Sequence, residues 1–472
     1  MPELRTTHLN IRLHVLSPIH IGCDQVYEPT EFVIPDGQDG TLVVFDPISF
    51  VSLLDGESRA RFEKICMDGK LAEIYRFIGS HAARLRGRPV GISKDLVQHY
   101  RRTFFGAGNA PTDSEINKFT LARTSFEAFT SRPLIPGSSL KGSLRTAYLN
   151  LVAGQSPRVT AQSGKWLEKD LLHGDYASDP FSLLKIGDLQ PLQAESSIGY
   201  AMNWKKRKQP GTTDMAQGKG PYQILEIIQP GSVFTGRISL TPSPSERRID
   251  RPITLKALFE AVFRFYRARF KEDQELLGGL SYPKSLAPIL AMRDSGKAFF
   301  VRIGRHSGAE SVTLDGYRSI KIMRGQPPYQ KNATTVWLYS DRLRATPSTS
   351  KPFGWALLEL VDEGVAFPPP KIEEKPTTSA RMAGPTPVDA SPSPAIAPAA
   401  KTVTTVVLLE RNQTPTGTIT GEIGKWQVTF PGEARPITIS NPQAITRAGS
   451  AMFLVQEASK KAGVRVRFEK YL

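Results

Sequence analysis

The stretch of sequence that decides the fold is Leu134-Ile135-Pro136-Gly137-Ser138-Ser139-Leu140-Lys141-Gly142-Ser143-Leu144-Arg145-Thr146. Its Pro-Gly pair predicts a turn after a short apolar strand, because neither residue continues regular structure. We expect Ser138 or Ser139 to cap the helix that follows. The apolar residues of that helix recur at helical spacing on one face, at Leu140, Leu144, Ala147, Tyr148 and Leu151.

Two cations, Lys141 and Arg145, lie in the first two turns of this predicted helix. The helix macrodipole opposes a cation in the first turn by roughly 0.3–1 kcal/mol, whereas a bound phosphate would reverse the sign of that effect. We therefore interpret the segment as a phosphate cradle made of the amide of Gly137, the two serine hydroxyls and the two cations. Gly142 would let a ligand approach closely. The alternative is a serine-capped helix with solvated cations.

The cradle is not a nucleotide-hydrolysing P-loop. That motif places Gly-Lys-Ser/Thr at the end of its glycine spacing. Here Gly142 is followed by Ser143 and Leu144, and the lysine precedes the glycine. The sequence therefore argues against nucleotide hydrolysis by this loop.

The whole chain is strongly basic, with 61 Lys and Arg against 45 Asp and Glu among 472 residues and a net charge of +16. An excess of this size favours a polyanionic partner, because cations that neutralise phosphates release condensed counterions. A basic surface without such a partner is the alternative.

The cysteines and the apolar segments predict no metal, disulfide or membrane chemistry. Cys23 and Cys66 do not form a CxxC pair, and His20, Cys23 and Asp24 lack a second ligand pair, so we expect no metal and no small-molecule cofactor. Residues Met1–Arg5 lack the apolar segment that is typical of a signal peptide. No apolar run approaches the ~18 residues of a membrane span. We therefore expect a soluble, cytoplasmic protein without a membrane partner.

Residues 368–400 are dense in Pro, Ala, Ser and Thr and show no apolar periodicity, which is typical of a disordered linker. The linker would separate a body, residues 1–367, from a terminal module, residues 401–472. β-Branched segments separated by Gly, Pro or Asn predict that the module is a small β-barrel of the OB or cold-shock kind. Its predicted strands are Val403–Glu410, Thr416–Glu422, Lys425–Phe430, Pro436–Ser440, Ala451–Glu457 and Val464–Lys470.

Strands and helices alternate irregularly along the body, which indicates an α+β fold. Apolar alternation predicts a strand from Leu9 to Val15 and another over Thr41–Phe45, the second leading into a helix capped by Asp46 or Ser49. The periodic segment Leu255–Leu277 predicts a long helix whose aromatic residues pack in the core. Further helices are predicted around Arg59–Asp68 and Leu71–Leu85, and further strands at Ser232–Leu240, Ala298–Gly304 and Trp355–Val361.

Four segments, in order, resemble one protein family. Residues 134–146 are very similar to the signature of RAMP proteins, the RRM-like subunits of type III CRISPR effector complexes. Ser17–Gly22 resembles the end of the family's first strand, Arg302–Gly308 its late glycine-rich loop, and Lys351–Leu360 its closing strand. The resemblance covers residues of about 9–361 and implies a body built on one or two ferredoxin/RRM-like units with helical insertions. The linker and the terminal barrel lie outside it.

Within this family the long body is most similar to the capping subunit of type III-A Csm complexes. The resemblance implies a non-catalytic subunit of an antiviral ribonucleoprotein, which binds the 3′ portion of the guide RNA and caps the subunit stack. Such a subunit would help to define the length of the mature guide. The implied partners are the guide (CRISPR) RNA, other subunits of the effector complex and a trimming nuclease.

The glycine-rich loop provides further candidate RNA contacts. Glycines permit close approach of a backbone, and cations can neutralise phosphates without reading bases. A glycine turn with solvated cations is the alternative. The candidates in this loop are Arg302, Gly304, Arg305 and His306.

A basic run lies in a Gln-, Gly- and Pro-rich segment and is predicted to form a mobile loop that contacts the RNA backbone. A loop that serves only solubility is the alternative. The run comprises Lys205, Lys206, Arg207 and Lys208.

The residues just before the signature add two secondary phosphate contacts, Arg123 and Ser125. Two aromatic residues follow them, Phe126 and Phe129. Their rings could stack on bases, but we favour packing in the core.

Two other functions stay open at this stage. The chain could be a RAMP endoribonuclease that cleaves guide precursor or target RNA, with His306 as an acid–base group or Asp24 as an acidic group in metal-dependent cleavage. It could also be a scaffold that contacts protein alone and acquires RNA through its neighbours.

Overall fold

The computed structural model divides into two compact units, Met1–Glu374 and Lys375–Leu472. It describes residues 5–471 apart from 29, 36–39, 107–114, 117–118, 157–163, 176–177, 209–214, 219–221, 244–248, 323–327, 369–415, 421–425, 431–436, 441–444, 446 and 460–462. Apart from Pro368, the predicted linker lies outside the described residues. The assignment of body, linker and barrel by residue range therefore stays a prediction.

The first unit mixes helices and strands along the chain, which confirms the α+β prediction. Its helices are α1 Pro47–Ser52, α2 Gly56–Met67, α3 Leu71–Ser80, α4 Lys94–Phe105, α5 Gly137–Gln155, α6 Gly164–Leu172, α7 Leu255–Leu277 and α8 Ala287–Ala291. Its strands are β1 Thr7–Val15, β2 Gly22–Tyr27, β3 Phe32–Val33, β4 Thr41–Val44, β5 Arg88–Ile92, β6 Leu121–Thr124, β7 Leu184–Ile186, β8 Gln190–Gln193, β9 Ser196–Lys208, β10 Met215–Gln217, β11 Gln223–Ile228, β12 Val233–Leu240, β13 Ala298–Arg302, β14 Ile320–Lys321, β15 Tyr329–Gln330, β16 Thr335–Ser340, β17 Lys351–Pro352 and β18 Trp355–Leu360. Short 3-10 turns lie at Ala82–Arg84, Pro180–Leu183, Lys284–Leu286, Ala309–Ser311 and Pro347–Thr349.

One sheet of this unit runs in the order β13-β18-β1-β12-β7, with antiparallel neighbours and with β8 also paired to β12. Leu9, Ile11 and Leu13 of β1 are buried while His8 and Asn10 are exposed, because successive residues of a strand point to opposite faces. Helices α5 and α7 bury their apolar faces in the same core. Each fully buried Leu or Phe there stabilises the fold by about 1.5–3 kcal/mol.

The second sheet runs in the order β2-β6-β11-β9-β5-β4-β3, with β10 and β16 also on β9 and β17 on β16. Its β6–β11 and β5–β9 pairs are parallel. Helices α1, α3 and α4 cover it with buried side chains such as Phe50, Phe77 and Tyr100. Asp46 caps α1, as the sequence predicts, because its carboxylate accepts from the backbone N–H groups of Ile48 and Ser49.

The second unit contains one five-stranded sheet, in the order β20-β19-β22-β23-β21. Its strands are β19 Thr416–Thr420, β20 Gln427–Thr429, β21 Ile437–Ile439, β22 Gly449–Ser459 and β23 Gly463–Tyr471. Phe430, Phe453 and Val466 lie in its core. Five of the six predicted strands are thus confirmed, and the first, Val403–Glu410, lies outside the described residues.

The finer classifications, ferredoxin/RRM-like units for the body and an OB or cold-shock barrel for the terminal module, stay predictions. The predicted helix Leu255–Leu277 is confirmed at both ends, since the Thr254 side chain accepts from Ala257 N and Gly278 ends the helix at φ +69°. Among the described residues, no helix is both long enough and apolar enough to cross a membrane.

Candidate nucleic-acid interface

Four predicted site segments meet where the two sheets of the first unit adjoin. The backbone N–H of Arg305 donates to the carbonyl of His20 (2.7 Å), and the N–H of Ser125 donates to the carbonyl of Ile21 (2.7 Å). The backbone N–H of Leu134 in turn donates to the carbonyl of Ser125 (2.9 Å), and the chain then enters α5 at Gly137. We call this surface, formed by residues 17–24, 123–142 and 304–308, the loop junction.

Helix α5 begins at Gly137 without a serine cap. Ser138 is exposed and Ser139 is half-buried in its first turn, so the prediction that one of them is the cap is wrong. The carboxylate of Asp188 instead accepts from the backbone N–H of Gly137 (2.8 Å), which places an intramolecular anion at the positive end of the helix. A Cβ on Gly137 would lie 2.2 Å from the Ile186 carbonyl oxygen, so this position requires glycine.

The two cations of the predicted cradle are held by the protein itself. Lys141 Nζ donates to the Leu184 carbonyl (2.8 Å), and burial followed by the charge of Lys185 lowers its pKa. Arg145 pairs with Glu168 (2.8 Å) and Asp179 (2.9 Å). The expectation that both side chains are available for phosphate is therefore corrected, because neighbouring segments already supply their partners.

Gly142, in contrast, faces open space. It is exposed, and a Cβ built on it meets no atom of the described residues within 4 Å. The packing of the chain therefore does not require glycine here, and the surface beside α5 is free for close approach of another molecule.

The glycine-rich loop separates one buried arginine from one exposed arginine. Arg302 is buried, donates to the Phe353 carbonyl (2.9 Å) and pairs with Asp273 (3.0 Å), which corrects its prediction as a phosphate contact. Gly304 adopts φ +83°, and a Cβ there would lie 2.5 Å from the His20 carbonyl oxygen. Arg305 is exposed and has no carboxylate partner among the described residues.

His306 is half-buried, and neighbouring side chains hold its ring. Its Nε2 lies 3.0 Å from Gln223 Oε1, and its ring stacks on Trp337 at 4.4 Å between centroids. Burial, and then the charge of Arg305, lower its pKa to about 3. The imidazole is therefore neutral at physiological pH, and its pKa is too low for an efficient general acid or base.

Arg123 is held between two aromatic rings. Its guanidinium lies 3.5 Å from the centroid of Phe126 and 4.8 Å from that of Tyr27, a geometry that restricts its rotamers. It has no carboxylate partner among the residues that the structure describes. Ser125 is 8% exposed and its backbone joins two neighbouring segments, so the prediction of a surface phosphate contact at Ser125 is corrected.

The basic run is part of a strand. Lys205–Lys208 form the end of β9, which pairs with β16, so the predicted mobile loop is wrong for these four residues. Lys206 pairs with Glu310 (2.7 Å), whereas Lys205 and Arg207 are exposed and have no carboxylate partner in the described part of the chain.

Glu226, which was not among the residues predicted from the sequence, is a buried carboxylate beside Tyr27 and Thr124. It accepts hydrogen bonds from Tyr27 Oη (3.0 Å), Ser196 Oγ (2.7 Å) and the backbone N–H of Thr124 (3.2 Å). Burial, and then the charge of Glu226, raise the pKa of Tyr27 to about 12. A single acid within the apolar run of β11 is the signal that could have revealed it.

Asp24 and its neighbours do not form a metal centre in the described residues. Asp24 is exposed with φ +56°, and within the described ranges no group of three His, Cys, Asp or Glu side chains could hold a metal ion. His20 lies 1% exposed, and its Nδ1 is 2.8 Å from the Glu226 carbonyl.

Comparison with known proteins identifies the family. The family model described as the RAMP superfamily matches residues 12–281. The chain belongs to the RAMP superfamily. This membership confirms the resemblance of the signature segment, and residues 134–142 of that segment are part of the loop junction of this RAMP protein.

This RAMP chain is similar in sequence to a known protein and in structure to chains of two solved structures. A Methanocaldococcus jannaschii protein described as "CRISPR system Cms protein Csm5" is 27% identical over 399 residues, which covers 75% of this chain and 89% of the relative. A chain in the cryo-EM structure of a Csm–crRNA–target RNA ternary complex of a type III-A CRISPR-Cas system is 18% identical with a TM-score of 0.49, and covers 75% of this chain and 100% of that chain. The crystal structure of T. onnurineus Csm5 is 16% identical with a TM-score of 0.42, and covers 74% of this chain and 100% of that chain.

Proposed function

We propose that this RAMP chain is a non-catalytic RNA-binding subunit of a type III-A CRISPR effector complex, and that it holds the guide RNA on the loop junction. The observation that carries the proposal is the pair Arg123 and Arg305. Both are cations of the junction without a carboxylate partner among the described residues, whereas Lys141, Arg145 and Arg302 are bound within the fold. The resemblance to Csm5 supports the choice of complex.

The proposed contacts are to the RNA backbone. Arg123 and Arg305 neutralise phosphates, the exposed hydroxyl of Ser138 donates to a phosphate or sugar oxygen, and the open surface at Gly142 admits the RNA chain. Lys205 and Arg207 extend the basic surface along β9. Because these groups do not read base edges, the binding is independent of guide sequence.

We further propose that the subunit caps the stack near the 3′ end of the guide and so limits the length of the mature RNA. In cells that lack this chain, the guides of the assembled complex should have altered 3′ ends, which sequencing of co-purified RNA measures. Guides of unchanged length would contradict the capping role. The same cells test whether a trimming nuclease depends on this chain.

Salt dependence of RNA binding tests the interface. Removing two phosphate contacts with Arg123→Ala/Arg305→Ala should weaken binding of a fluorescein-labelled single-stranded guide RNA and reduce the slope of log affinity against log salt by about 1.4. The matched control removes two exposed cations of α2, Arg59→Ala/Lys64→Ala, and should change neither quantity. An unchanged affinity and slope in the junction variant would refute the proposal.

The endoribonuclease alternative finds little support at either candidate residue. His306 is neutral, stacked and hydrogen-bonded, and Asp24 has no companion ligands in the described residues. Incubating the purified chain with guide precursor, with and without a divalent metal, tests this directly. Cleavage that disappears in His306→Ala or Asp24→Asn would establish the enzyme and overturn the non-catalytic proposal.

A further inference from the structure

The loop junction exposes one aromatic ring completely. Phe129 lies in the turn between β6 and α5 and is 98% exposed, more than any other large apolar side chain in the described part of the chain. The expectation that it packs in the core is therefore wrong. Phe126, in contrast, is half-buried, and the Arg123 guanidinium lies 3.5 Å from the centroid of its ring.

The turn that carries Phe129 is tightly closed by hydrogen bonds. Backbone bonds run from Glu127 N to Arg132 O (2.9 Å) and from Ser131 N to Glu127 O (2.8 Å). The Glu127 carboxylate accepts from Phe129 N (3.1 Å) and Thr130 N (2.6 Å), and these bonds lower its pKa. The ring is thus presented on a fixed backbone, which reduces the entropy lost when it binds a partner.

The residues beside Phe129 in the turn are small, polar or charged, and the one anion among them, Glu127, is held by the amides of the turn. Ala128 and Thr130 flank the ring in the turn, and Arg132 is exposed without a carboxylate partner among the described residues. The other cation of this segment, Arg123, is fixed by its aromatic neighbours. The segment from β6 to the end of the turn therefore combines one exposed π face with two cations, Arg123 and Arg132, and one anion, Glu127, that the turn itself binds.

We propose that Phe129 is a stacking platform for one unpaired base of the bound RNA. This proposal rests on the function proposed above and names a contact to a base, in addition to the contacts to phosphates. A base offers a flat apolar face attached to a phosphate, which matches an exposed ring in a segment that also carries two arginines. An aromatic residue that anchors a protein–protein interface instead lies within a larger apolar patch that excludes water. The residues flanking Phe129 supply no such patch.

Stacking of this kind depends little on which base is present, because every base has a π face. The platform would therefore fix the register of the RNA on the loop junction without selecting a nucleotide. One base position of the guide should depend on the ring, and its identity should matter little.

The experiment combines ring variants with abasic RNA. Binding of fluorescein-labelled single-stranded guide RNA, with one abasic site moved along its length, is measured for the wild-type chain, Phe129→Ala and Phe129→Tyr. The control is Tyr282→Ala, which removes another exposed aromatic ring, and thermal melting verifies that every variant is folded.

We expect Phe129→Ala to weaken binding roughly fivefold to hundredfold, and both Phe129→Tyr and Tyr282→Ala to bind like the wild type. One abasic position should cause a similar loss in the wild type and no further loss in Phe129→Ala. The proposal would be overturned if Phe129→Ala bound RNA with wild-type affinity. It would also be overturned if, at every position, the loss caused by the abasic site added to the loss caused by Phe129→Ala.

The arginine variants distinguish the failure of this proposal from the failure of the proposed function. If Arg123→Ala/Arg305→Ala weakens RNA binding and Phe129→Ala does not, the interface stands and the stacking platform is refuted. If neither variant weakens binding, the proposed function fails as well. If Phe129→Ala binds RNA normally but no longer assembles with the other subunits, the ring is a protein contact and the stacking proposal is overturned.

Discussion

At the scale of single residues, the partner of a side chain decides whether its charge is available to a ligand. Arg145 and Arg305 are both cations of predicted RNA-binding loops, but Arg145 pairs with Glu168 and Asp179 while Arg305 is exposed. The local sequence does not distinguish the two cations, because the acids that pair with Arg145 lie 23 and 34 residues away along the chain. The same holds for Arg302, whose partner Asp273 belongs to α7.

Arg145→Ala and Arg305→Ala should therefore affect different properties: the first should lower the stability of the fold, and the second should lower the affinity for RNA. Arg145→Ala leaves two partly buried carboxylates unpaired and should lower the free energy of unfolding by about 1 kcal/mol. Arg305→Ala should change it by less than about 0.5 kcal/mol and weaken RNA binding roughly tenfold. Chemical denaturation and RNA titration of both variants measure the two quantities, and the reverse pattern would show that the roles are misassigned.

Gly142 and Gly154 provide a matched pair in α5. Within the part of the chain that the structure describes, a Cβ at either position meets no atom within 4 Å, so alanine should stabilise the helix at both by about 0.5–1 kcal/mol. Only Gly142→Ala should reduce RNA affinity, because only that surface is part of the loop junction. Equal RNA affinities of the two variants would argue against close approach of RNA at Gly142.

His306 should make the stability of the fold depend on pH. Its pKa is about 3 in the folded protein, owing to burial and then to the facing charges of Arg305 and His20, and about 6.5 in the unfolded chain. Between these values the unfolded chain binds a proton that the folded chain excludes, so stability falls as the pH falls. From pH 7 to pH 5 we expect a loss of about 2 kcal/mol from this group. Denaturation of the wild type and of His306→Gln at both pH values tests this, and an equal loss in both would contradict it.

At the scale of secondary structure elements, the start of α5 shows how an anion site can be satisfied within the chain. Asp188 occupies the position that a serine cap or a phosphate was expected to take at Gly137. Any RNA phosphate near this helix therefore lies beside the first turn, at Ser138 and Gly142, and not on its axis. Local sequence predicts the helix well, but a cap supplied by a residue about fifty positions later carries no local signal.

Asp188→Ala should destabilise the protein, whereas Ser138→Ala should not. The carboxylate of Asp188 holds the N–H of Gly137 and interacts favourably with the helix dipole, so its removal should cost about 1 kcal/mol. Ser138 is exposed and makes no capping bond, so its removal should cost less than about 0.5 kcal/mol. Thermal or chemical unfolding measures both, and a larger loss in Ser138→Ala would mean that the serine is the cap.

Other elements show which signals in a sequence are reliable. The bounds of α7 follow from Thr254, an apolar periodicity of 23 residues and Gly278, all of them local. The end of β9 is polar and basic, and it is a strand because β16 and β10 pair with it. No pattern within Lys205–Lys208 reveals those partners, so the composition of the segment favoured a loop.

At the scale of the whole molecule, the net charge of +16 favours a polyanionic partner, and the fold determines which cations remain available to it. In the first unit, internal acids neutralise several predicted cations, while Arg123, Arg132 and Arg305 at the loop junction have none among the described residues. The second unit, Lys375–Leu472, is a separate compact sheet structure. We therefore propose that RNA binding belongs to the first unit.

Ultraviolet crosslinking of the full chain to guide RNA, followed by mass spectrometry of the crosslinked peptides, tests this claim most directly. We predict crosslinks in residues 17–24, 123–142 and 304–308, with Phe129 among the crosslinked side chains and with a loss of these crosslinks in Arg123→Ala/Arg305→Ala. Crosslinks confined to residues 375–472, or an unchanged pattern in the variant, would contradict the assignment of the loop junction as the RNA-binding surface.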